Sequence, residues 1–243
     1  MKIVRCTTKE DLGERAATMI ADMINAAIAK KGEARIALST GASQFDTLKS
    51  LVTKDVDWSK VTMFHLDEYV GLGEEHPASF VKYMKERFVP KVNLKAVHFV
   101  APWNYPTVED CIADLEKLIR EKPIDVGVIG IGENTHIAFN DPPADIETKA
   151  AYKVVNLDDM CRHQQLGEGW FPTIDDVPKQ AISMTVYQIL LCEKIVSPVP
   201  YKVKADAIYK VITSDVSNMV PATMMKNHPD CTVFIDQDSG ARV

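Results

Sequence analysis

The sequence predicts an α/β fold, a three-layer sandwich in which a mostly parallel sheet carries helices on both faces. Short apolar runs alternate along the chain with longer segments whose apolar residues recur at helical spacing. This order is typical of repeated strand–helix units joined by right-handed crossovers. The run 125–131 is apolar without polar alternation, which indicates a strand buried on both faces, as in a parallel sheet.

The first half of the chain alternates regularly between the two kinds of element. The predicted strands are 2–6, 35–38, 61–66, 97–100 and 125–131. Residues 7–10 have capping-box spacing, which predicts the start of the first helix. Apolar residues then recur at helical spacing until Gly32, where the helix is predicted to end. Later helices are predicted after Ser43, from Pro77 onward and at 107–122, where acids near the start favour a helix N-terminus.

The second half is less regular. The predicted strands are 152–157, 181–186, 195–200 and 232–236, and helices are predicted at 187–191, from Lys204 onward and at 216–226. Pro198 favours a strand end or an edge strand. Residues 158–176 show no clear period, and long irregular segments of this kind often form lids or binding loops.

Composition limits the class of protein. The chain has 243 residues, is 46% hydrophobic and carries a formal net charge of -6. These values fit one globular domain, 1–243, and argue against nucleic acid or an anionic membrane as a partner. The five cysteines form no CxxC pair, so we interpret them as reduced thiols of a cytoplasmic protein. We identify no signal peptide and no membrane-spanning run.

A polar loop follows the predicted strand 125–131. It contains Asn134, His136 and Asp141 within a short span. Ligands of open parallel sheets bind beyond the carboxyl ends of strands, and a histidine oriented by a carboxylate suits proton transfer near neutral pH. His136 and Asp141 are therefore candidate catalytic residues. The alternative interpretation is a glycine-rich turn with a surface histidine.

A second loop follows the predicted strand 35–38. Its residues are Ser39, Thr40, Gly41, Ala42 and Ser43, and a predicted helix comes next. Glycine lets backbone amides approach an anion, hydroxyl groups donate hydrogen bonds and a helix N-terminus carries partial positive charge. The loop therefore predicts a phosphate site, although it lacks the GK[ST] of a Walker A motif. The alternative is an ordinary turn in which serine caps the helix.

Two basic residues could complete such a site. Lys204 lies near a predicted helix start, where a cation is unfavourable unless an anion is bound beside it. Arg162 lies in the irregular segment 158–176 and could hold an anion through two parallel hydrogen bonds. For both residues the alternative is a solvated surface side chain.

Asp67 and Glu68 follow directly after the predicted strand 61–66. Adjacent acids at the end of a buried strand are costly unless they are solvated or used in chemistry. Asp67 is therefore a candidate general base. The alternative is a helix cap or a loop acid.

Four separated stretches together resemble one family. They are LSTGAS at 38–43, FHLDEYVGL at 64–72, GIGENTHIAFNDPP at 130–143 and KADAI at 204–208. The sequence is similar in these stretches to the glucosamine-6-phosphate deaminase/isomerase family, and the likeness covers nearly the whole chain. The second and third motifs are specific, whereas the first and fourth are weak when taken singly.

The resemblance implies a Rossmann-like α/β enzyme that converts an amino-sugar phosphate, a small molecule, into a ketose phosphate and ammonia without a metal or organic cofactor. Asp67 would move a proton from C2 to C1. His136 would act on the ring oxygen during ring opening, with Asp141 as its carboxylate partner. Residues 40–43 and Lys204 would hold the phosphate. The resemblance leaves open whether the chain forms a homo-oligomer.

The chain also departs from the family pattern. Asn134, Thr135 and His136 stand where the family commonly has Asp-Gly-His, and Asp141 stands where it commonly has Glu. Asn134 can hydrogen-bond but cannot take a proton, and Thr135 adds a side chain where glycine would allow close approach. The segment CRHQQLGEGWF differs as well. The resemblance therefore indicates a divergent subgroup and leaves the hexosamine epimer undetermined.

Two other functions compete with this one. A 6-phosphogluconolactonase has a similar fold, but its motif resembles DGHTASLFP, whereas this chain has THIAFNDPP. A sugar-phosphate sensor without catalysis is the other alternative, and such proteins normally carry a basic helix-turn-helix segment. The acidic balance of this chain and its start at a predicted strand favour the enzyme.

Overall fold

The computed structural model describes all 243 residues. Its centre is a sheet of seven strands in which every pairing is parallel. Across the sheet the strands are β1 (Lys2–Arg5), β10 (Cys231–Ile235), β9 (Lys194–Val199), β6 (Val126–Val128), β2 (Ala34–Leu38), β3 (Val61–His65) and β5 (Ala96–His98). The predicted parallel sheet is confirmed.

Seven α-helices accompany the sheet. They are α1 (Lys9–Lys31), α2 (Phe45–Leu51), α3 (Phe80–Arg87), α4 (Val108–Arg120), α5 (Asp159–Gly167), α6 (Val186–Leu190) and α7 (Ala205–Thr213). The Thr8 side chain caps α1, and Gly32 ends it in the left-handed conformation at φ 81°. No helix combines the length and apolar character needed to cross a membrane.

Alternate residues of the strands pack on opposite faces of the sheet. On β2, Ile36 and Leu38 belong to the core that α1 and α2 cover, whereas Ala37 belongs to the core that contains the buried residues of α4 and α7. The same division applies to β10, where Phe234 and Val233 enter different cores. Both faces are therefore covered by helices, as the three-layer prediction requires.

A second, smaller sheet lies beside the first and was not predicted. It is antiparallel, with the order β4 (Asp67–Tyr69), β8 (Gln180–Met184) and β7 (Tyr152–Asn156). Met184 N–H donates to the carbonyl of Leu66 at 2.7 Å, which joins this sheet to the end of β3. The predicted strands at 152–157 and 181–186 therefore form, but outside the parallel sheet.

Two predictions for the second half need correction. Residues 158–176 are not irregular throughout, because Asp158 caps α5 by accepting from Cys161 N–H at 2.6 Å. The helix predicted at 216–226 is instead a 3₁₀ helix, Pro221–Asn227. It is shorter because Ser217 and Val220 pair as an isolated bridge, and Pro221 has no N–H to continue a helix backwards.

Candidate active site

Four neighbouring strands end at one cleft. The strands β9, β6, β2 and β3 are adjacent in the sheet, and the chain passes from β2 to β3 on one side and later returns to β6 on the other. Such a reversal opens a crevice at the carboxyl edge of a parallel sheet. The cleft there is lined by Asp67, His136, Lys204 and residues 39–43.

The loop after β2 forms a cradle of backbone amides. Gly41 has φ 93°, a conformation that side chains rarely allow. The amides of residues 40–43 donate to no carbonyl of the chain. The hydroxyl groups of Tyr83 and Tyr201 donate to the carbonyls of Gly41 and Ala42, at 3.5 and 3.3 Å. The loop is thus held from its carbonyl side, and its amides remain free to bind an anion.

Lys204 provides the cation of this cradle. It directly precedes α7, and only 5% of its surface is exposed. Burial lowers the pKa of its ammonium group, while the carboxylates of Glu133 and Glu168 act in the opposite direction. Its Nζ makes no hydrogen bond or ion pair with the chain, in contrast to most buried charges. An anionic ligand would satisfy both this group and the neighbouring amides.

Asp67 and Glu68 divide between two environments. Glu68 accepts hydrogen bonds from Ser79 Oγ at 2.8 Å and from the amides of Tyr69 and Val81, each at 2.9 Å. It therefore caps the start of α3. Asp67 lines the cleft and accepts no hydrogen bond from the chain, and burial together with the Glu68 charge raises its pKa to about 8. A carboxyl group with such a pKa suits a base acting near neutral pH.

His136 is positioned by Asp141 and Gly132. Its Nδ1 lies 3.0 Å from Asp141 Oδ1, a close polar contact without the alignment of a linear hydrogen bond. Burial opposes ionisation of Asp141, but the contacts with His136 and Asn134 prevail and lower its pKa. The imidazole lies directly over Gly132, where any Cβ would overlap the ring. Asp141 thus stays ionised and available to orient the histidine.

Asn134 and Thr135 show what the departure from Asp-Gly entails. Asn134 Nδ2 donates to Asp141 Oδ1 at 2.8 Å and to Asp158 Oδ2 at 3.0 Å. An aspartate at this position would bring three carboxylates together. Thr135 has φ 73°, the left-handed region that glycine adopts freely, and its buried Oγ1 has no partner. The loop therefore keeps the backbone shape that favours glycine although the residue is threonine.

One group of side chains has metal-ligand chemistry. Ligand atoms of His136, Asp141 and Cys161 lie within 4.8 Å of one another. The oxygens of Asp141 already accept from Asn134 and from the amide of Asp158. Burial raises the pKa of the Cys161 thiol, so it is a poor thiolate donor. Hydrogen bonding within the chain accounts for this cluster without a metal.

Arg162, predicted to contact an anion, does not line the cleft. Its guanidinium donates to the carbonyl of Ile174 at 2.5 Å and contacts that of Val177 at 3.4 Å. Those two carbonyls therefore direct the side chain into the segment that follows α5. The structure brings together the other predicted residues but not Arg162.

Residues of α5 line the cleft and were missed by sequence reasoning. Gln165 accepts from the hydroxyl of Tyr69 at 2.7 Å, and Gln164 accepts from the amide of Glu133 at 2.8 Å. Glu168, the C-cap residue of α5, also lines the cleft, and burial raises the pKa of its carboxyl group. Asp158 followed by residues that favour a helix was the signal that could have placed α5.

The fold and the cleft define an α/β protein in which free backbone amides, a buried lysine, a carboxyl group and an imidazole meet at the carboxyl edge of a parallel sheet. The chain belongs to the glucosamine-6-phosphate isomerase/6-phosphogluconolactonase family, whose model matches residues 7–234. It is 32% identical to glucosamine-6-phosphate deaminase 1 of Bacillus subtilis over 247 aligned residues, which cover 99% of each chain. It is 30% identical to the glucosamine-6-phosphate deaminase of Enterococcus faecalis, over 100% of both.

Solved structures agree with this assignment. A monomeric glucosamine-6-phosphate deaminase superposes with a TM-score of 0.89 at 30% identity, covering 100% of both chains. A 6-phosphogluconolactonase from Shewanella baltica superposes with a TM-score of 0.78 at 18% identity, covering 97% of both. The second likeness shows the shared fold only.

Proposed function

We propose that this protein is an amino-sugar phosphate deaminase that converts a hexosamine 6-phosphate, such as glucosamine 6-phosphate, into a ketose 6-phosphate and ammonia. One observation carries the proposal: the base Asp67 and the imidazole of His136, which Asp141 contacts from behind at 3.0 Å, line the same cleft as a cradle for an anion. The full-length likeness to proteins named glucosamine-6-phosphate deaminase supports it.

The phosphate would be bound first and would fix the substrate. The amides of residues 40–43 and the ammonium of Lys204 offer donors from two different strand ends, β2 and β9. Anchoring at this group lets binding energy place the distant reacting carbons against the catalytic side chains.

Ring opening would use His136. The imidazole moves a proton between the ring oxygen and the anomeric hydroxyl, which turns the pyranose into the open-chain aldehyde. Asp141 orients the imidazole, and its negative charge stabilises the imidazolium that forms during this transfer. Asn134 cannot exchange protons, so it serves as a hydrogen-bonding support.

Deamination would use Asp67. Its carboxylate takes the proton from C2, the C2–H electrons form a C1=C2 double bond, and the aldehyde oxygen takes up a proton that the ammonium group of the substrate releases. The carboxyl group then returns its proton to C1, and the nitrogen lone pair forms a protonated imine at C2. Water adds to that imine and ammonia leaves, which gives the ketose. One carboxylate can reach both carbons because they are adjacent, and the raised pKa of Asp67 suits a group that both takes and returns a proton.

We propose that residues 1–243 act as one domain in the cytoplasm. All five cysteines are free and buried, which fits a reducing compartment. The acidic net charge supports a small-molecule partner rather than nucleic acid.

A substrate panel tests the proposal. The 6-phosphates of glucosamine and galactosamine, together with 6-phosphogluconolactone, are assayed for ammonia, ketose phosphate and acid. We expect ammonia and ketose phosphate in equal amounts from one or both hexosamines. Acid from the lactone alone would support the lactonase, and tight binding without any product would support a sensor.

A further inference from the structure

Asp158 joins α5 to the loop that carries His136. One oxygen of its carboxylate accepts from Cys161 N–H at 2.6 Å and so caps the helix. The other accepts from Asn134 Nδ2 at 3.0 Å. Its own backbone N–H donates to Asp141 Oδ2 at 2.9 Å. Asp158 is thus hydrogen-bonded to two side chains of the loop that carries His136, the acid Asp141 and the amide Asn134. That loop is called the catalytic loop below.

The Asn134 amide fits this place in one orientation only. Its Nδ2 faces two carboxylates, Asp141 and Asp158, while its Oδ1 accepts from His136 N–H at 3.0 Å. Turning the amide over would set oxygen against two carboxylates and nitrogen against a donor. The bonds to charged acceptors are the stronger kind, so the amide is firmly held.

Asp158 is equally constrained. Both of its oxygens face N–H donors, and a carboxylate is the side chain of this size that accepts on both sides. An asparagine at 158 would turn its own NH₂ group toward either Asn134 or Cys161 N–H. It would still cap the helix, because Asn and Asp are similarly good caps.

We propose that Asp158 is a positioning residue for His136 and Asp141, and that its carboxylate and the Asn134 amide work as one unit that holds the start of α5 against the catalytic loop. In this chain the unit provides at position 158 the acid that the resembled family pattern has at 134. The same contact fixes α5, which carries Gln164 and Gln165 into the cleft. The kinetic part of this inference rests on the proposed function.

Kinetics of Asp158→Asn test the unit, with Asp159→Asn as the control. The control makes the same substitution one residue along the chain, at a side chain that is 90% exposed. Its one ion pair, with Arg162 at 3.6 Å, is open to solvent on the Asp159 side and is of the kind that contributes little. We expect Asp158→Asn to lower kcat about tenfold or more, as loss of a charged hydrogen bond predicts, with a smaller change in KM because the phosphate cradle is untouched. Asp159→Asn should match the wild type. Equal kcat values for the two variants would overturn the inference.

An exchange of the two residues separates positioning from general support of the fold. Asn134→Asp places three carboxylates together, and kcat should fall strongly. Adding Asp158→Asn to it restores one amide and two carboxylates, so the double variant should exceed Asn134→Asp in kcat by about tenfold. A role in stability alone would not produce this recovery at a temperature where all variants are folded. A double variant no better than Asn134→Asp contradicts the unit.

Urea unfolding tests the unit without any substrate. Asp158→Asn should lower the unfolding midpoint more than Asp159→Asn does. The double variant Asn134→Asp/Asp158→Asn should lose less stability than the sum of the losses measured for Asn134→Asp and Asp158→Asn alone. Strictly additive midpoints would contradict the inference even in an inactive protein. Absence of turnover by the wild type would instead contradict only the proposed function.

Discussion

Asp67 and Glu68 are neighbours on β4, yet only the side chain of Glu68 accepts hydrogen bonds from the chain. Successive side chains of a strand point to opposite faces, so Glu68 reaches the start of α3 while Asp67 reaches the cleft. The two acids, adjacent in the sequence, thus lie in different environments. Glu68 is a structural cap whose charge also acts on its neighbour, and Asp67 is the candidate base.

Asp67→Asn should abolish turnover while sugar-phosphate binding is retained. The amide has nearly the same shape but cannot accept the C2 proton, and the cradle of residues 40–43 with Lys204 is unchanged. Ammonia release measures the first effect, and calorimetric titration with a hexosamine 6-phosphate measures the second. Turnover close to that of the wild type would remove Asp67 as the base.

The pKa of Asp67 gives a pH dependence for both rate and stability. The base must be ionised, so kcat/KM should rise with pH and level off above about 8. Its folded pKa is raised above the unfolded value of 3.8, so the folded state binds the proton more tightly, and stability from this group is lost as pH rises from 3.8 to about 8. Asp67→Asn should therefore exceed the wild type in Tm at pH 8 but not near pH 4. A Tm difference that is independent of pH would contradict this assignment.

Glu68→Gln should shift that rate profile to lower pH. The negative charge of Glu68 is one cause of the raised pKa of Asp67, and the substitution removes it. The glutamine also turns an NH₂ group toward one of the donors that Glu68 accepts from, the amides of Tyr69 and Val81 and the hydroxyl of Ser79, so unfolding free energy should fall by about 1–3 kcal/mol. Glu75→Gln, at an exposed side chain, is the control. An unshifted profile would show that Glu68 does not influence the base.

The sequence predicted the cradle, Asp67, His136 and Asp141 because each lies in the segment that leaves the carboxyl end of a strand of the parallel sheet. In such a sheet, the place of a loop along the chain almost determines its place in space. The contribution of α5 was not predictable in this way. The apolar residues of α5 do not recur at a clear helical spacing. The position of the helix depends on the hydrogen bonds between Asp158 and two residues of another loop, Asn134 and Asp141.

Long-range pairing explains the other differences. The antiparallel sheet joins β4 to β8 across more than a hundred residues, and strand patterns alone do not name a partner. Arg162 could be recognised as a possible anion contact from its type alone. Its direction was decided by the carbonyls of Ile174 and Val177, which no local pattern reveals.

Lys204→Ala should raise KM for a hexosamine 6-phosphate by roughly tenfold to a hundredfold, the range expected for one charged hydrogen bond. The ammonium has no partner in the chain, so its removal takes away a ligand contact rather than an internal ion pair. Competitive inhibition by inorganic phosphate should weaken in parallel, and added phosphate should not rescue turnover. Lys202→Ala, an exposed neighbour, should leave KM unchanged. An unaffected KM in Lys204→Ala would exclude this residue from the phosphate site.

Gly132→Ala should reduce kcat strongly, because a Cβ at this position would overlap the imidazole of His136. The histidine must then move away from Asp141, whose contact at 3.0 Å orients it. The fold should persist, since a rotation of one side chain relieves the overlap, and KM should change less because the cradle lies on other strands. Gly73→Ala is the matched control, as it is exposed, has no positive φ and would place its Cβ in open space. If both variants keep the kcat of the wild type, the position of His136 over Gly132 is not required for the reaction.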